Sequence, residues 1–209
     1  MGAGELQLGA LSVVAAPAVR LVLPTPARLP GYVAALQRGW SPDNIRGAAA
    51  AQEALEMIAV DPSPIFAVAD DPEARGPQIT TPDGTKRDRL PGLQRWLWDQ
   101  DEGPAGFAGS INLRWMKGHA PLPFFVLGHA GYAVVPWKQQ RGYATQALAQ
   151  LLVLARGHGL PFVELTTDAD NGPSQRVITN NGGVLVEHFT KHATYGGAAS
   201  LRFRIDLAG

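Results

Sequence analysis

The fold is decided by one stretch of the sequence, Val134-Val135-Pro136-Trp137-Lys138-Gln139-Gln140-Arg141-Gly142-Tyr143-Ala144-Thr145. A β-branched run, a polar turn with a glycine and an apolar-periodic segment follow one another, which predicts a strand, a turn and a helix. The first turn of a helix has unpaired backbone N–H groups and the positive end of the helix dipole. Gly142 and the small Ala144 allow close approach to this backbone, and Lys138 and Arg141 add positive charge. We therefore expect an anion site, most simply for a phosphate or pyrophosphate.

Two common nucleotide motifs do not fit this stretch. It does not end in Gly-Lys-Ser/Thr, as the P-loop of NTPases does, and it has no Gly-x-Gly-x-x-Gly with a following acidic residue. For Gly142 taken alone, tight packing of a strand against a helix is a sufficient explanation. The anion site therefore needs a second motif in its support.

The segments after this turn alternate between helix and strand. Residues 142–158 keep one apolar face at helical spacing, and Gly157 and Gly159 are typical of a helix end. The apolar face consists of Ala144, Ala147, Leu148, Leu151, Leu152 and Ala155. We then expect a buried strand at 162–166, a short helix at 171–181, and closing strands at 184–190 and 200–206.

The segments before the turn predict a strand at 19–24, a helix from Pro30, and a second helix capped by Asp43 or Asn44. From Gln94 the pattern changes to period two, with strands that contain Trp96 and Trp98, then 106–115 and 127–135. Residues 61–92 are proline-rich and irregular, with a turn at Pro82-Asp83-Gly84, and form either a surface excursion or a loop over an acceptor pocket. This order predicts a single α/β or α+β domain over residues 1–209.

The composition excludes several classes of function. The chain has 209 residues, a formal net charge of zero and no cysteine. A balanced charge disfavours a nucleic-acid partner, and a chain without thiols has no disulfide, thiolate metal site or cysteine nucleophile. The spacing of the histidines suggests no metal site. Residues 8–19 lack the basic flank of a signal peptide, and no run is long enough for a membrane helix, so we expect a cytoplasmic protein.

A second motif lies downstream and makes a resemblance specific. Gln139-x-x-Gly142-x-Ala144 resembles the Gln/Arg-x-x-Gly-x-Gly/Ala signature of the GNAT family of N-acetyltransferases. Asn171-x-x-Ser174, followed by Asn180-Asn181-Gly182-Gly183, resembles the family's Asn-x-x-Ala/Ser … Gly-Phe segment. The resemblance covers residues 127–190, and the wider sequence looks like a bacterial branch whose members are described only as predicted acetyltransferases.

The resemblance implies a central mixed, mostly antiparallel sheet flanked by helices, with acetyl-CoA as co-substrate. It implies direct transfer of the acetyl group to a primary amine, without an acyl-enzyme. The backbone of Ala133, Val134 and Val135 would pair with the pantetheine arm, and Asn171 and Ser174 would lie near the thiol end. The pyrophosphate would be held by the amides of Gln140, Arg141, Gly142, Tyr143, Ala144 and Thr145.

The chain departs from the family pattern at two positions. Many members have a tyrosine seven residues after the asparagine, as the acid that protonates the leaving thiolate, and here that position is Ile178. The aromatic residue that follows the glycine in the family is here Gly183. Tyr195, Ser174 or a water would have to replace this acid, or the thiolate leaves unprotonated. A binding module for acyl-CoA without transferase activity, or a transferase with a longer acyl donor, is the alternative.

Transfer to an amine needs a group that takes a proton near neutral pH. His129 is the first candidate, because histidine titrates in this range, and Glu164 is the second, because partial burial would raise its pKa. Tyr132 is the third candidate, because its side chain could point into the acceptor pocket. The ordinary alternatives are that His129 only forms structural hydrogen bonds and that Tyr132 only packs against its neighbours. The acceptor is expected to be a small-molecule or peptide amine, and homodimerisation through an exposed edge strand stays open.

Overall fold

The computed structural model describes residues 18–81, 84–119, 121–123 and 125–207. Three helices follow the first strand, a run of strands comes next, and strand and helix alternate only in the last third of the chain. In chain order they are β1 (Val19–Val22), α1 (Leu29–Gln37), α2 (Ala48–Val60), α3 (Ser63–Ala67), β2 (Asp70–Asp71), β3 (Ile79–Thr80), β4 (Lys86–Arg87), β5 (Gly92–Asp99), β6 (Phe107–Arg114), β7 (Ala130–Val134), α4 (Tyr143–Gly157), β8 (Phe162–Asp168), α5 (Gly172–Thr179), β9 (Val184–Thr190) and β10 (Ala199–Asp206).

The central sheet is divided into two parts. One part has the order β1-β5-β6-β7, with β2 beside β5, and the other has the order β8-β10-β9. All strand pairs among the described residues are antiparallel. The two parts meet where the His129 N–H donates to the Glu164 carbonyl at 2.8 Å, at the start of β7. The expected fold class, a mostly antiparallel sheet flanked by helices, is confirmed.

Helix α4 supplies the core on one face of the sheet. Its side chains Leu148 and Leu151 are fully buried and pack in one cluster with Ile111 of β6 and Leu165 of β8. Burial of each such leucine contributes about 1.5–3 kcal/mol to stability. The helix therefore joins the two parts of the sheet from one side.

An aromatic cluster fills the opposite face under α1. Tyr32 stacks on Trp96 with ring centroids 5.0 Å apart, and Phe107 and Trp40 meet them edge to face. Trp96 belongs to this cluster while Leu97 belongs to the core under α4, so the two faces predicted for this strand are confirmed.

The free edge of β1 is occupied by side chains of α4. Gln150 accepts the Leu21 N–H at 3.1 Å and donates to the Val19 carbonyl at 2.9 Å. Gln146 accepts the Val19 N–H at 3.3 Å. Two side-chain amides thus replace the strand that an open edge would otherwise recruit.

The second helix begins later than the sequence suggests. The Asp43 side chain accepts the N–H groups of Ile45 and Arg46, at 2.8 and 2.9 Å, and so closes a turn rather than capping a helix. Gly47 then has a φ of +50°, and α2 begins only at Ala48. The prediction of Asp43 or Asn44 as the cap was wrong, because this glycine separates the turn from the helix.

The described part of the irregular stretch, residues 61–92, carries four short elements, which are α3, β2, β3 and β4. Helix α3 is the first of them, and β3 pairs with β4 as a small hairpin. Pro82 and Asp83, the first two residues of the predicted turn, lie outside the described residues. No helix among the described residues has the length and apolarity needed to cross a membrane.

The outer strand β9 is exposed along nearly its whole length. Val184, Leu185 and Val186 are 66%, 41% and 47% exposed. A homodimer through an exposed edge strand stays a prediction, as does a cytoplasmic location.

Candidate active site

A cleft of about 1060 Å³ opens where β7 and β8 separate. Its walls include residues 130–134 of β7 and residues 165–168 of β8. The turn into α4 and the first turn of α5 line it as well, and so does the loop between α1 and α2. The divided sheet therefore places the sequence motifs around one cavity.

The turn between β7 and α4, residues 136–142, forms what we call the anion loop. A single 3-10 turn, Pro136–Lys138, opens it, and Gln140 and Gly142 then have φ values of +61° and +75°. Gly142 precedes α4 without a side-chain cap, and the first turn of α4 has no acidic residue. A Cβ at Gly142 would meet only the Gln146 Nε2 atom, at 3.9 Å, so the space beside this backbone is open. These are the properties expected of an anion site at a helix N-terminus.

The two cations of the anion loop differ in what they face. The Lys138 side chain is only 4% exposed, and its Nζ atom lies 2.8 Å from Glu102 Oε2 and 4.0 Å from Asp99 Oδ2. Arg141 is half exposed and lies 3.9 Å from Glu102 Oε1. The expectation that Lys138 adds charge to the anion site is corrected, because its ammonium is buried against two carboxylates below the loop.

Asp99 anchors the start of α4 from beneath. Its Oδ2 atom accepts the Tyr143 hydroxyl at 2.5 Å, and its Oδ1 atom accepts the Asp101 N–H at 3.1 Å. Burial alone would raise the pKa of Asp99, but these bonds and the cations Lys138 and Arg141 hold it below its ordinary value. The carboxylate is therefore charged at neutral pH.

At the other end of the cleft, a strand side chain meets a helix side chain. The Tyr132 hydroxyl lies 2.8 Å from the Ser174 Oγ atom. Burial raises the pKa of Tyr132, while the bond to Ser174 lowers it by less. Asn171 caps α5 by accepting the Ser174 N–H at 3.1 Å, so only its Nδ2 atom is left to donate into the cleft. Three of the predicted site residues thus meet at one point.

The two candidate bases do not line the cleft. His129 is buried, its Nδ1 atom accepts the Glu164 N–H at 3.1 Å, and burial lowers its pKa to about 4. The Glu164 carboxylate binds Arg204 at 2.8 Å and lies 3.5 Å from Arg202 on the face of the three-stranded sheet. Both residues hold the two sheets together, and neither reaches the cavity.

Of the three residues whose backbone was predicted to pair with the pantetheine arm, two line the cleft and one does not. Ala133 and Val134 line the cleft, and the Val134 carbonyl accepts a bond from the Gln139 side chain at 3.3 Å. Val135 does not line it: its N–H donates to the Ala108 carbonyl and its own carbonyl accepts the Lys138 N–H, both at 3.0 Å. The structure therefore leaves Val135 no backbone group for a ligand.

Tyr195, one of the alternative acids, is held elsewhere, because its hydroxyl donates to the Phe125 carbonyl at 2.6 Å. Asp168 lines the cleft but forms an ion pair with Lys191 and accepts the Ser200 hydroxyl. The Lys191 hydrogen bond keeps the pKa of Asp168 below its ordinary value, although burial opposes this.

The loop between α1 and α2 was missed as part of the site. Trp40, Ser41 and Asp43 lie in the cleft wall opposite β7. A Gly-Trp-Ser-Pro-Asp turn between two short helices was the available signal, since connecting loops commonly carry binding residues. The sequence offered no spacing that would place it beside the anion loop.

Comparisons with known proteins agree with this geometry. The family model of the acetyltransferase (GNAT) domain matches residues 49–184. No curated protein matches the sequence. Three solved structures share the fold at TM-scores of 0.54, 0.54 and 0.52.

The first of these comes from Vibrio cholerae and is assigned as a ribosomal-protein-serine acetyltransferase, 13% identical over 92% of this chain and 96% of its own. The second is RimL, a ribosomal L7/L12 alpha-N-protein acetyltransferase in complex with coenzyme A, 12% identical over 91% and 95%. The third is the microcin C7 self-immunity acetyltransferase MccE in complex with acetyl-CoA and AMP, 12% identical over 91% and 93%.

Proposed function

Because this chain belongs to the GNAT acetyltransferase family, we propose that it transfers the acetyl group of acetyl-CoA directly to the amine of an acceptor. The observation that carries the proposal is the cleft between β7 and β8, with the anion loop at one end and the Tyr132–Ser174 hydroxyl pair in its wall. In this proposal the pyrophosphate of the co-substrate binds to the anion loop. The pantetheine arm follows β7 along Ala133 and Val134.

The proposed reaction needs little from titrating side chains. The neutral amine nitrogen attacks the thioester carbonyl carbon and gives up a proton to water, the carbon–sulfur bond breaks, and the sulfur leaves with the electron pair. A backbone N–H at the end of β7 stabilises the developing oxyanion. The ammonium of the acceptor loses its proton to water in the open cleft, because neither His129 nor Glu164 reaches it.

The Tyr132–Ser174 pair takes the role of the family's missing acid. Ile178, which occupies the usual tyrosine position, is buried in the core and has no ionisable group that could donate a proton. The Ser174 hydroxyl protonates the leaving thiolate and is resupplied by the Tyr132 hydroxyl at 2.8 Å, which takes a proton from water in turn. Burial raises the pKa of Tyr132, so its hydroxyl carries a proton at neutral pH.

Binding is tested by calorimetric titration of the full chain with acetyl-CoA and with coenzyme A. Gly142→Trp is expected to abolish binding, since the indole would fill the open space beside the first turn of α4. Gly159→Trp is the matched control, because Gly159 has the same φ of +75° and lies exposed beyond the far end of the same helix. Wild type that is folded and binds neither ligand at millimolar concentration would refute the proposal.

Transfer is tested on a panel of amines with release of free thiol as the signal. Small polyamines, amino acids and peptides with free N-termini belong in the panel. Peptides are included because two relatives in fold are described as acetyltransferases of ribosomal proteins. An acyl-CoA-binding module without transferase activity would bind acetyl-CoA tightly and release no thiol with any amine. The hydroxyl pair in the cleft favours the enzyme.

A further inference from the structure

The anion loop is electrically compensated before any ligand arrives. Lys138 and Arg141 carry two positive charges, and Asp99 and Glu102 carry two negative charges within 4.0 Å of them. An incoming pyrophosphate therefore meets the backbone N–H groups and the helix dipole, while both cations of the loop already lie beside a carboxylate.

Glu102 lies within 4.0 Å of both cations, whereas Asp99 lies this close only to Lys138. One Glu102 oxygen lies 2.8 Å from the buried Lys138 Nζ atom, and the other lies 3.9 Å from the Arg141 Nη1 atom. Arg141 is half exposed, so it moves at small cost, while Lys138 is held by its burial. Glu102 belongs to the short turn Gln100–Ala105 that joins β5 to β6, outside the cleft lining.

We propose that Glu102 sets the affinity of the anion loop by holding Arg141, which exchanges from Glu102 to the pyrophosphate when the co-substrate binds. Lys138 keeps the Glu102 carboxylate under the loop in both states. Glu102 is thus a positioning residue that weakens co-substrate binding and eases product release. This inference rests on the proposed function, because the exchanged partner is the pyrophosphate of coenzyme A.

The direct test is the effect of Glu102→Gln on coenzyme A binding, measured by calorimetry on the full chain. Glutamine keeps the size of Glu102 and an oxygen beside Lys138 but no longer attracts Arg141 as an ion. Coenzyme A is expected to bind about 2- to 5-fold more tightly, the size of a half-exposed ion pair. The gain shrinks at high ionic strength, because salt screens exposed charges.

A double-mutant cycle separates ion exchange from simple repulsion. Arg141→Gln weakens binding, and Glu102→Gln on the Arg141→Gln background is expected to give no further change. If Glu102 only repelled the phosphates, the gain would persist without Arg141, and the exchange would be refuted. Asp101→Asn, which removes a neighbouring charge in the same turn, is the matched control and is expected to leave the affinity unchanged.

If Glu102 served only to stabilise the fold, its replacement would not strengthen coenzyme A binding. Glu102→Gln would then be folded but bind coenzyme A equally or more weakly, which would overturn the proposal. Glu102→Asp is the second variant if glutamine prevents folding. The shorter side chain keeps a carboxylate for Lys138 but places it farther from Arg141, so a smaller gain in coenzyme A affinity is expected. Absence of binding by wild type would instead refute the proposed function, so the two failures are distinguishable.

Discussion

The Tyr132 hydroxyl lies 2.8 Å from the Ser174 hydroxyl, and the two residues belong to elements on opposite sides of the cleft. Tyr132 is in the middle of β7, while Ser174 is in the first turn of α5. The contact requires that the two sheets separate beyond His129, since a continuous sheet would fill the gap with backbone hydrogen bonds. The divided sheet thus creates both the cleft and the pair of facing hydroxyls in its wall.

Ser174→Ala is expected to lower kcat about 10- to 100-fold, because the leaving thiolate loses its proton donor. Tyr132→Phe is expected to cost less, because water resupplies the serine. KM for acetyl-CoA changes little in either variant, since neither hydroxyl lies in the anion loop. Steady-state kinetics with thiol release measure both constants.

The serine variant keeps the helix cap intact, because Asn171 binds the backbone N–H of residue 174 and not its hydroxyl. Loss of activity without loss of stability therefore identifies a chemical role. An unchanged kcat in Ser174→Ala would mean that the thiolate leaves unprotonated or takes its proton from water.

Tyr143→Phe is expected to lower the free energy of unfolding by about 1–3 kcal/mol, the cost of a lost hydrogen bond to a buried carboxylate. The lost hydroxyl donates to Asp99 at 2.5 Å. Tyr32→Phe is the matched control, since Tyr32 is buried as well but the described residues give its hydroxyl no hydrogen bond. Urea denaturation compares the two, and equal losses would contradict this account.

The turn into α4 and the helix itself were predictable from the sequence, because their signals are local. Tyr143–Gly157 has one apolar face, and Gly142 tolerates the positive φ that the turn requires. The family motif then placed Asn171 and Ser174 near the same cavity, although they are far away along the chain. Local periodicity and the spacing of the family motif therefore predict the two ends of the cleft.

The rest depends on contacts between distant segments that no spacing encodes. Lys138 resembles a phosphate ligand until Asp99 and Glu102, from another hairpin, are placed beneath it. His129 resembles a base until the Glu164 N–H is placed on its Nδ1 atom. The sequence shows which groups titrate, but burial and partners decide what each of them does.

Gln150→Leu is expected to loosen β1 and to cost about 1–2 kcal/mol, because two backbone groups of an edge strand lose their partners. Hydrogen exchange is the sharpest measurement, since the Leu21 N–H, which now donates to Gln150, should exchange faster. Val153→Leu, on an exposed part of the same helix, is the control. Unchanged exchange at Leu21 would show that pairing with β5 alone protects β1.

Stability is expected to fall as the pH falls from about 6.5 to about 4, because of His129. Burial lowers the pKa of His129 to about 4 in the folded protein, against 6.5 for an ordinary histidine. Between these values the unfolded chain binds the proton and the folded protein does not, so acid favours unfolding. The contribution of His129 to the free energy of unfolding is fully present above pH 6.5. Its loss in acid amounts to about 1–3 kcal/mol after allowance for partial solvation.

His129→Asn tests this assignment, because the asparagine oxygen can accept the Glu164 N–H in place of Nδ1 but does not titrate. Its unfolding free energy is expected to depend less on pH between 4 and 6.5 than that of wild type, in urea denaturation at a series of pH values. His188→Asn, on the exposed strand β9, should keep the wild-type dependence. Equal slopes for wild type and His129→Asn would mean that other groups, and not this buried imidazole, make the fold sensitive to acid.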